Sequence, residues 1–72
     1  MKRVYKMKDL ECANCAAKME RAIAKIDGVT AVSVNFLSQK LTLEADDDKI
    51  DEIVLQAKKI CKKIEPDCEI ML

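Results

Sequence analysis

"DGVTAVSVNFLSQKLTLEA", residues 27–45, reads as a helix stop followed by two alternating runs around a polar turn. Asp27-Gly28 is the stop, because glycine adopts the left-handed helix cap most cheaply. "VTAVSVNF" is rich in β-branched residues and sets Val32 and Val34 on one side. "LSQ" turns the chain, and "KLTLEA" sets Leu41 and Leu43 on the same side. Period-two alternation on both sides of a short turn predicts a β-hairpin.

Outward from that hairpin the sequence repeats itself in kind. Upstream, from Cys15 onward, Met19, Ala22, Ile23 and Ile26 fall at i, i+3, i+4 and i+7, one face of a helix. Downstream, Ile50, Ile53, Val54, Ala57, Ile60, Cys61 and Ile64 keep a helical stripe for about four turns. Asp46–Asp48 supply acidic helix-start chemistry ahead of it, and Lys58, Lys59, Lys62 and Lys63 lie where the dipole favours cations. Pro66 closes this second helix. At the outer ends, "KRVYKMK" (residues 2–8) alternates with Tyr5 and Met7 on one face. "CEIML" (residues 68–72) does so with Cys68, Ile70 and Leu72. The order β-α-β-β-α-β is the split βαβ arrangement. The expected architecture is α+β: a ferredoxin-like sandwich with two helices on one face of a four-stranded antiparallel sheet, one domain spanning residues 1–72.

Composition restricts what such a domain does. Half the residues are apolar but Tyr5 and Phe36 are the only aromatics, so the core is aliphatic. Zero net charge and two lone aromatics give no support to nucleic-acid binding. No apolar run approaches the ~20 residues of a membrane span, and "MKRVYKMK" lacks the apolar segment of a secretory signal. A cytoplasmic location follows as the expectation, with thiols kept reduced.

Four cysteines then need explaining. "DLECAN" (residues 9–14) breaks the strand pattern and reads as a loop. It puts Cys12 between the first strand and first helix, and Cys15 at the helix start. That position is exposed and electropositive, and helix-start N–H groups support a thiolate. Cys61 falls on the apolar stripe of the second helix, and Cys68 aligns with Ile70, so both read as small buried hydrophobes. Three uses remain open for Cys12 and Cys15: packing, thiol–disulfide exchange, or metal ligation, the last including a structural four-cysteine zinc site completed by Cys61 and Cys68. Polar neighbours speak against packing. Two strong ligands on an open loop make an incomplete site, which suits an ion that must move on.

The chain also resembles the heavy-metal-associated domain family: copper chaperones, the mercuric-ion-binding protein, and soluble domains of heavy-metal P-type ATPases. The family pattern is a Gly-Met-x-Cys-x-x-Cys loop, an amphipathic helix, Gly-Val, and a Val-x-Val-Asn strand. Here these stand as "DLECANC", "AAKMERAIAKI", "DGV" and "VSVNF". The resemblance implies that Cys12 and Cys15 ligate one soft metal ion. It also implies that Leu10 replaces the loop methionine as an apolar anchor and that Asp9 replaces the usual glycine. Pro66 or Glu65 falls near where copper-handling members place a lysine or tyrosine. Glu11, directly before the first cysteine, resembles the zinc/cadmium/lead branch and is a candidate third ligand, since a divalent ion wants more donors than linear Cu(I).

The expected function is therefore soft-metal binding and transfer without catalysis, favouring Zn(II), Cd(II) or Pb(II), with Cu(I) as the alternative. The expected setting is a monomeric N-terminal domain of a P-type ATPase, or a free chaperone. Its partners would be another metal-binding domain, a chaperone or an ATPase membrane domain, met in transient docking without membrane insertion. Lys18, Arg21 and Lys25, at i, i+3 and i+7, form a basic stripe beside the loop that suits such docking.

Overall fold

A computed structural model describes residues 1–71. The elements follow the expected order: β1 (Lys2–Lys8), α1 (Ala13–Ala24), β2 (Val29–Asn35), β3 (Lys40–Ala45), α2 (Ile50–Ile64) and β4 (Glu69–Met71). The strands form one antiparallel sheet in the order β2-β3-β1-β4. Leu72, expected on the inner face of the last strand, lies outside the described residues.

Alternation in the sequence becomes two-sidedness in the sheet. Met7, Leu41, Leu43 and Ile70 are buried on the face covered by both helices, while Lys2, Val4, Lys6 and Lys40 point the other way, exposed. From α1 come Ala16, Met19 and Ile23, and from α2 Ile50, Ile53, Val54, Ala57 and Cys61, closing a single aliphatic core. Burial of such side chains, worth about 1.5–3 kcal/mol each for Leu, Ile or Met, is the main favourable contribution to the fold.

Both helix boundaries near the hairpin differ from the sequence reading. Helix α1 begins at Ala13, not Cys15, because Cys12 is its N-cap: the Cys12 sulfur accepts the Cys15 N–H at 3.2 Å. It also ends earlier, at Ala24, with the Lys25 N–H returning to Ala22 and Ile23 carbonyls. Gly28 has φ +96 but serves the following turn, where a β-carbon would lie 2.9 Å from Lys49 Cδ. Asp46–Asp48 form a turn ahead of α2 and provide no side-chain cap. The Asp46 carbonyl accepts from Lys49 and Ile50, and the first-turn acids are Asp51 and Glu52. Chain reversal from β3 into α2 takes more residues than a direct strand-to-helix junction, which moves the helix start past the aspartates. At the other end α2 stops at Ile64, and Glu65 is extended as its proline neighbour requires.

Three connections meet at one end of the sandwich: the β1–α1 loop, the β2–β3 hairpin tip and the α2–β4 turn. Met7 N–H donates to the Gln39 carbonyl at 2.7 Å, and Glu11 N–H donates to Glu65 Oε1 at 3.3 Å. Both cysteines of the loop lie at this end.

Candidate metal centre

The loop that leads to the two thiols is anchored before it is exposed. Leu10 is buried in the core, in the place the sequence assigned to an apolar anchor. Asp9, just before it, has φ +58, the left-handed conformation that glycine takes most cheaply and that Asp tolerates better than most residues. Asp9 thus makes a left-handed turn at the position where the family pattern has glycine. After Leu10 the chain surfaces, with Cys12 and Cys15 both partly exposed.

One helical turn brings these two residues into contact, and the contact is asymmetric. The Cys12 thiol is held below its ordinary value of 9.0, first by a hydrogen bond from the Cys15 thiol and then by the Cys15 backbone N–H. The Asn14 N–H adds to this, while partial burial and the Glu65 charge oppose it. Cys15 is pushed up to about 11: it donates to Cys12, is partly desolvated, and feels the negative charge of Cys12 and Glu65, against Lys18. Cys12 is thus the readier of the two to lose its proton, first through the Cys15 thiol and then through the helix-start N–H groups, while Cys15 holds its proton more tightly. A thiol pair of this kind can serve as ligands to a soft cation, which would displace that proton.

Glu11 is exposed, and it is its backbone N–H, not its carboxylate, that bonds to Glu65. Glu65 is the acid whose charge reaches both thiols. Among the described residues, no three His, Cys, Asp or Glu groups converge closely enough to hold a metal ion. Cys12 and Cys15 thus form a pair of partly exposed free thiols. Cys61 and Cys68 are fully buried in the core, as their place on the apolar stripes requires. Burial pushes Cys61 up to about 12 and Cys68 up to about 11, which keeps both as neutral thiols. Lys18 and Arg21 are exposed on α1, and Lys25 is exposed at its C-cap. No described helix is long and apolar enough to cross a membrane.

The sequence reading did not anticipate Gln39. Its side-chain amide reaches across from the hairpin tip to the backbone of Leu10. Nothing in "LSQ" announces this, since the contact spans 29 residues and depends on the hairpin lying beside the loop.

A ferredoxin-like sandwich that presents a reduced thiol pair at the start of its first helix defines a class of small metal-binding modules. The family model described as "Heavy-metal-associated domain" matches residues 4–68, and the chain belongs to that family. It is 33% identical over 66 residues to a "Cadmium, zinc and cobalt-transporting ATPase" of Bacillus subtilis (strain 168), covering 92% of this chain and 9% of that protein. It is 34% identical over 64 residues to "Copper chaperone CopZ" of Enterococcus hirae, covering 89% of this chain and 86% of the chaperone. Among solved structures, "CopZ metallochaperone" shares the fold with TM-score 0.77 at 24% identity, over 99% of this chain and all of that one. This chain thus corresponds to a small part of the ATPase's length and to most of the chaperone's.

Proposed function

We propose that Cys12 and Cys15 take up one soft metal ion as cargo and hand it on through an intermediate in which donor and acceptor thiolates share the ion. The observation that carries this is the pairing at the helix start: a partly exposed Cys12 sulfur accepts the Cys15 N–H at 3.2 Å, and among the described residues no third His, Cys, Asp or Glu converges on the pair. An open site lets an incoming thiolate attack, whereas a closed tetrahedral site is structural.

The cargo favoured is divalent: Zn(II), Cd(II) or Pb(II). Two thiolates already outweigh the charge of Cu(I), and the acids beside them, Glu11 and Glu65, add more negative charge. A divalent ion uses that charge and accepts a carboxylate oxygen as a further ligand. Glu11 supplies it by a side-chain swing. Pro66 or Glu65 falls near where copper-handling members often place lysine or tyrosine, and Glu65 carries the charge opposite to lysine. The protein then acts as a cytoplasmic, monomeric module of a heavy-metal P-type ATPase, non-catalytic in itself, that docks partners through Lys18, Arg21 and Lys25 with salt-sensitive strength. A Cu(I) chaperone is the second reading, favoured by the match along most of the Enterococcus chaperone.

Competition of Zn(II), Cd(II) and Cu(I) for the reduced protein, read by native mass spectrometry, tests the assignment. One Cd(II) or Zn(II) per chain is expected. Glu11→Ala and Glu65→Gln should weaken the divalent ions by about ten-fold, the scale of lost supporting groups at metal sites, and leave Cu(I) unchanged. Equal effects on all three ions remove the divalent preference.

A further inference from the structure

We infer that Gln39 is a positioning residue for the metal loop, its side-chain amide clamping the backbone of Leu10 and so fixing the segment that presents Cys12. The inference rests on the metal-site reading above.

The β1–β3 ladder runs from Lys2↔Glu44 to Lys6↔Lys40, and Met7 N–H adds one bond to the Gln39 carbonyl at 2.7 Å. Beyond that point the two chains diverge into the metal loop and the hairpin tip. The Gln39 side chain bridges the gap as a surrogate strand. Leu10 N–H donates to Gln39 Oε1 at 3.0 Å, Gln39 Nε2 donates to the Leu10 carbonyl, and the same Nε2 donates to the Phe36 carbonyl at 2.7 Å. Both polar atoms of the amide are used, and Nε2 has both protons engaged, which only a glutamine of this length supplies. Phe36 ties the amide to its own hairpin, so the clamp is fixed at both ends.

The backbone is bent to make this possible. Gln39 has φ +55, left-handed for a residue with a β-carbon, and Asp9, next to the clamped Leu10, has φ +58. Two non-glycine residues in this region flank one contact, a strain that persists only where the surroundings hold it. Between Lys8 and Cys12 the loop is tethered by the buried Leu10 side chain, the Gln39 amide and the longer Glu11–Glu65 bond at 3.3 Å. Leu10 lies two residues from Cys12. Freeing its peptide frees the approach to the sulfur, and a pair of ligands held in place binds better than a pair that must be ordered on binding.

Three variants test the clamp: Gln39→Leu, which removes it at similar size; Gln39→Glu, which keeps the acceptor but loses both donors; and Gln39→Gly, which removes it while relieving the backbone. Cd(II) affinity by chelator competition and amide hydrogen exchange by NMR are the readouts. The expected result for Gln39→Leu and Gln39→Gly is weakening of Cd(II) by on the order of ten-fold. Leu10 N–H exchange should accelerate while Leu41 and Leu43 amides in β3 keep their protection, and Gln39→Glu should fall between. Gln39→Gly should melt no lower than the parent, separating loop placement from fold stability. Unchanged Cd(II) affinity in the Gly variant, or losses that track protection at Leu41 and Leu43, overturns the inference. Failure of the parent protein to take up Cd(II) overturns the metal reading and the clamp with it.

Discussion

Two pairs of cysteines share this chain and have opposite surroundings. Cys12 and Cys15 sit at a helix start, partly exposed, with one thiol lowered and the other raised by their mutual hydrogen bond. Cys61 and Cys68 sit in hydrocarbon, both raised by desolvation. The side chain is identical, so environment alone sets how readily each thiol ionises. N–H groups and access to water prepare a thiolate, whereas apolar packing keeps a thiol neutral and inert.

That contrast is breakable in three ways. The largest effect is expected from Cys12→Ser or Cys15→Ser. Each should weaken Cd(II) or Zn(II) by on the order of a hundred-fold or more, beyond what supporting groups contribute. The melting temperature should change little for Cys12→Ser, whose hydroxyl can still cap the helix, and somewhat more for Cys15→Ser, because Cys15 packs against the edge of the core. Titration with a chromophoric chelator, paired with circular dichroism melts, reads both. Metal binding that survives either change removes the loop pair from its role.

Next in size is the inner pair. Cys61→Ser and Cys68→Ser each put a hydroxyl into the core and should destabilise the fold by about 1–3 kcal/mol, the cost of a buried polar group with poor partners. Urea denaturation measures this. Cys61 lies at the low end, because a helical serine can bond back to its own helix. The doubly substituted protein should still take up one metal ion if it folds; loss of uptake in a folded double variant would revive a four-cysteine zinc site.

The mildest probe is pH, and it should drive the two pairs in opposite directions. Metal uptake displaces the Cys15 proton, so affinity at fixed free metal should rise by about ten-fold per pH unit below about 11. It should rise more steeply still once Cys12 is also protonated. For the inner pair the sign reverses. Cys61 ionises near 9.0 in the unfolded chain but at about 12 when folded. Its contribution to stability is therefore full below about pH 9 and is lost as pH rises through 12, because the unfolded state releases its proton first. Denaturation midpoints against pH check this, and Cys61→Ala should flatten the alkaline limb.

Much of this division was legible in the residues. Cys61 keeps the i, i+3, i+4 spacing of Ile50, Ile53, Val54 and Ala57, and a side chain in register with a buried stripe has nowhere else to go. Cys12 and Cys15 interrupt a polar loop, whose polar neighbours speak against packing, and the resemblance to the heavy-metal-associated family adds the expectation of metal ligation. The end of α1 was less legible. Gly28 carries the positive φ expected of a helix stop, but the helix closes four residues earlier and the glycine serves the turn into β2. A glycine marks where the backbone turns left-handed, not which element it ends.

The sequence by itself determined the order of elements, the buried faces and the two thiols, because these follow from local periodicity and residue chemistry that no distant contact overrides. Only the tertiary structure decided what surrounds the thiols: Glu65 beside the loop, 54 residues from Glu11, and the Gln39 amide on Leu10, 29 residues away. Such contacts are made by whichever loops the folded sheet brings to one end. They leave no period in the sequence, since a single long-range hydrogen bond constrains only the two residues that form it.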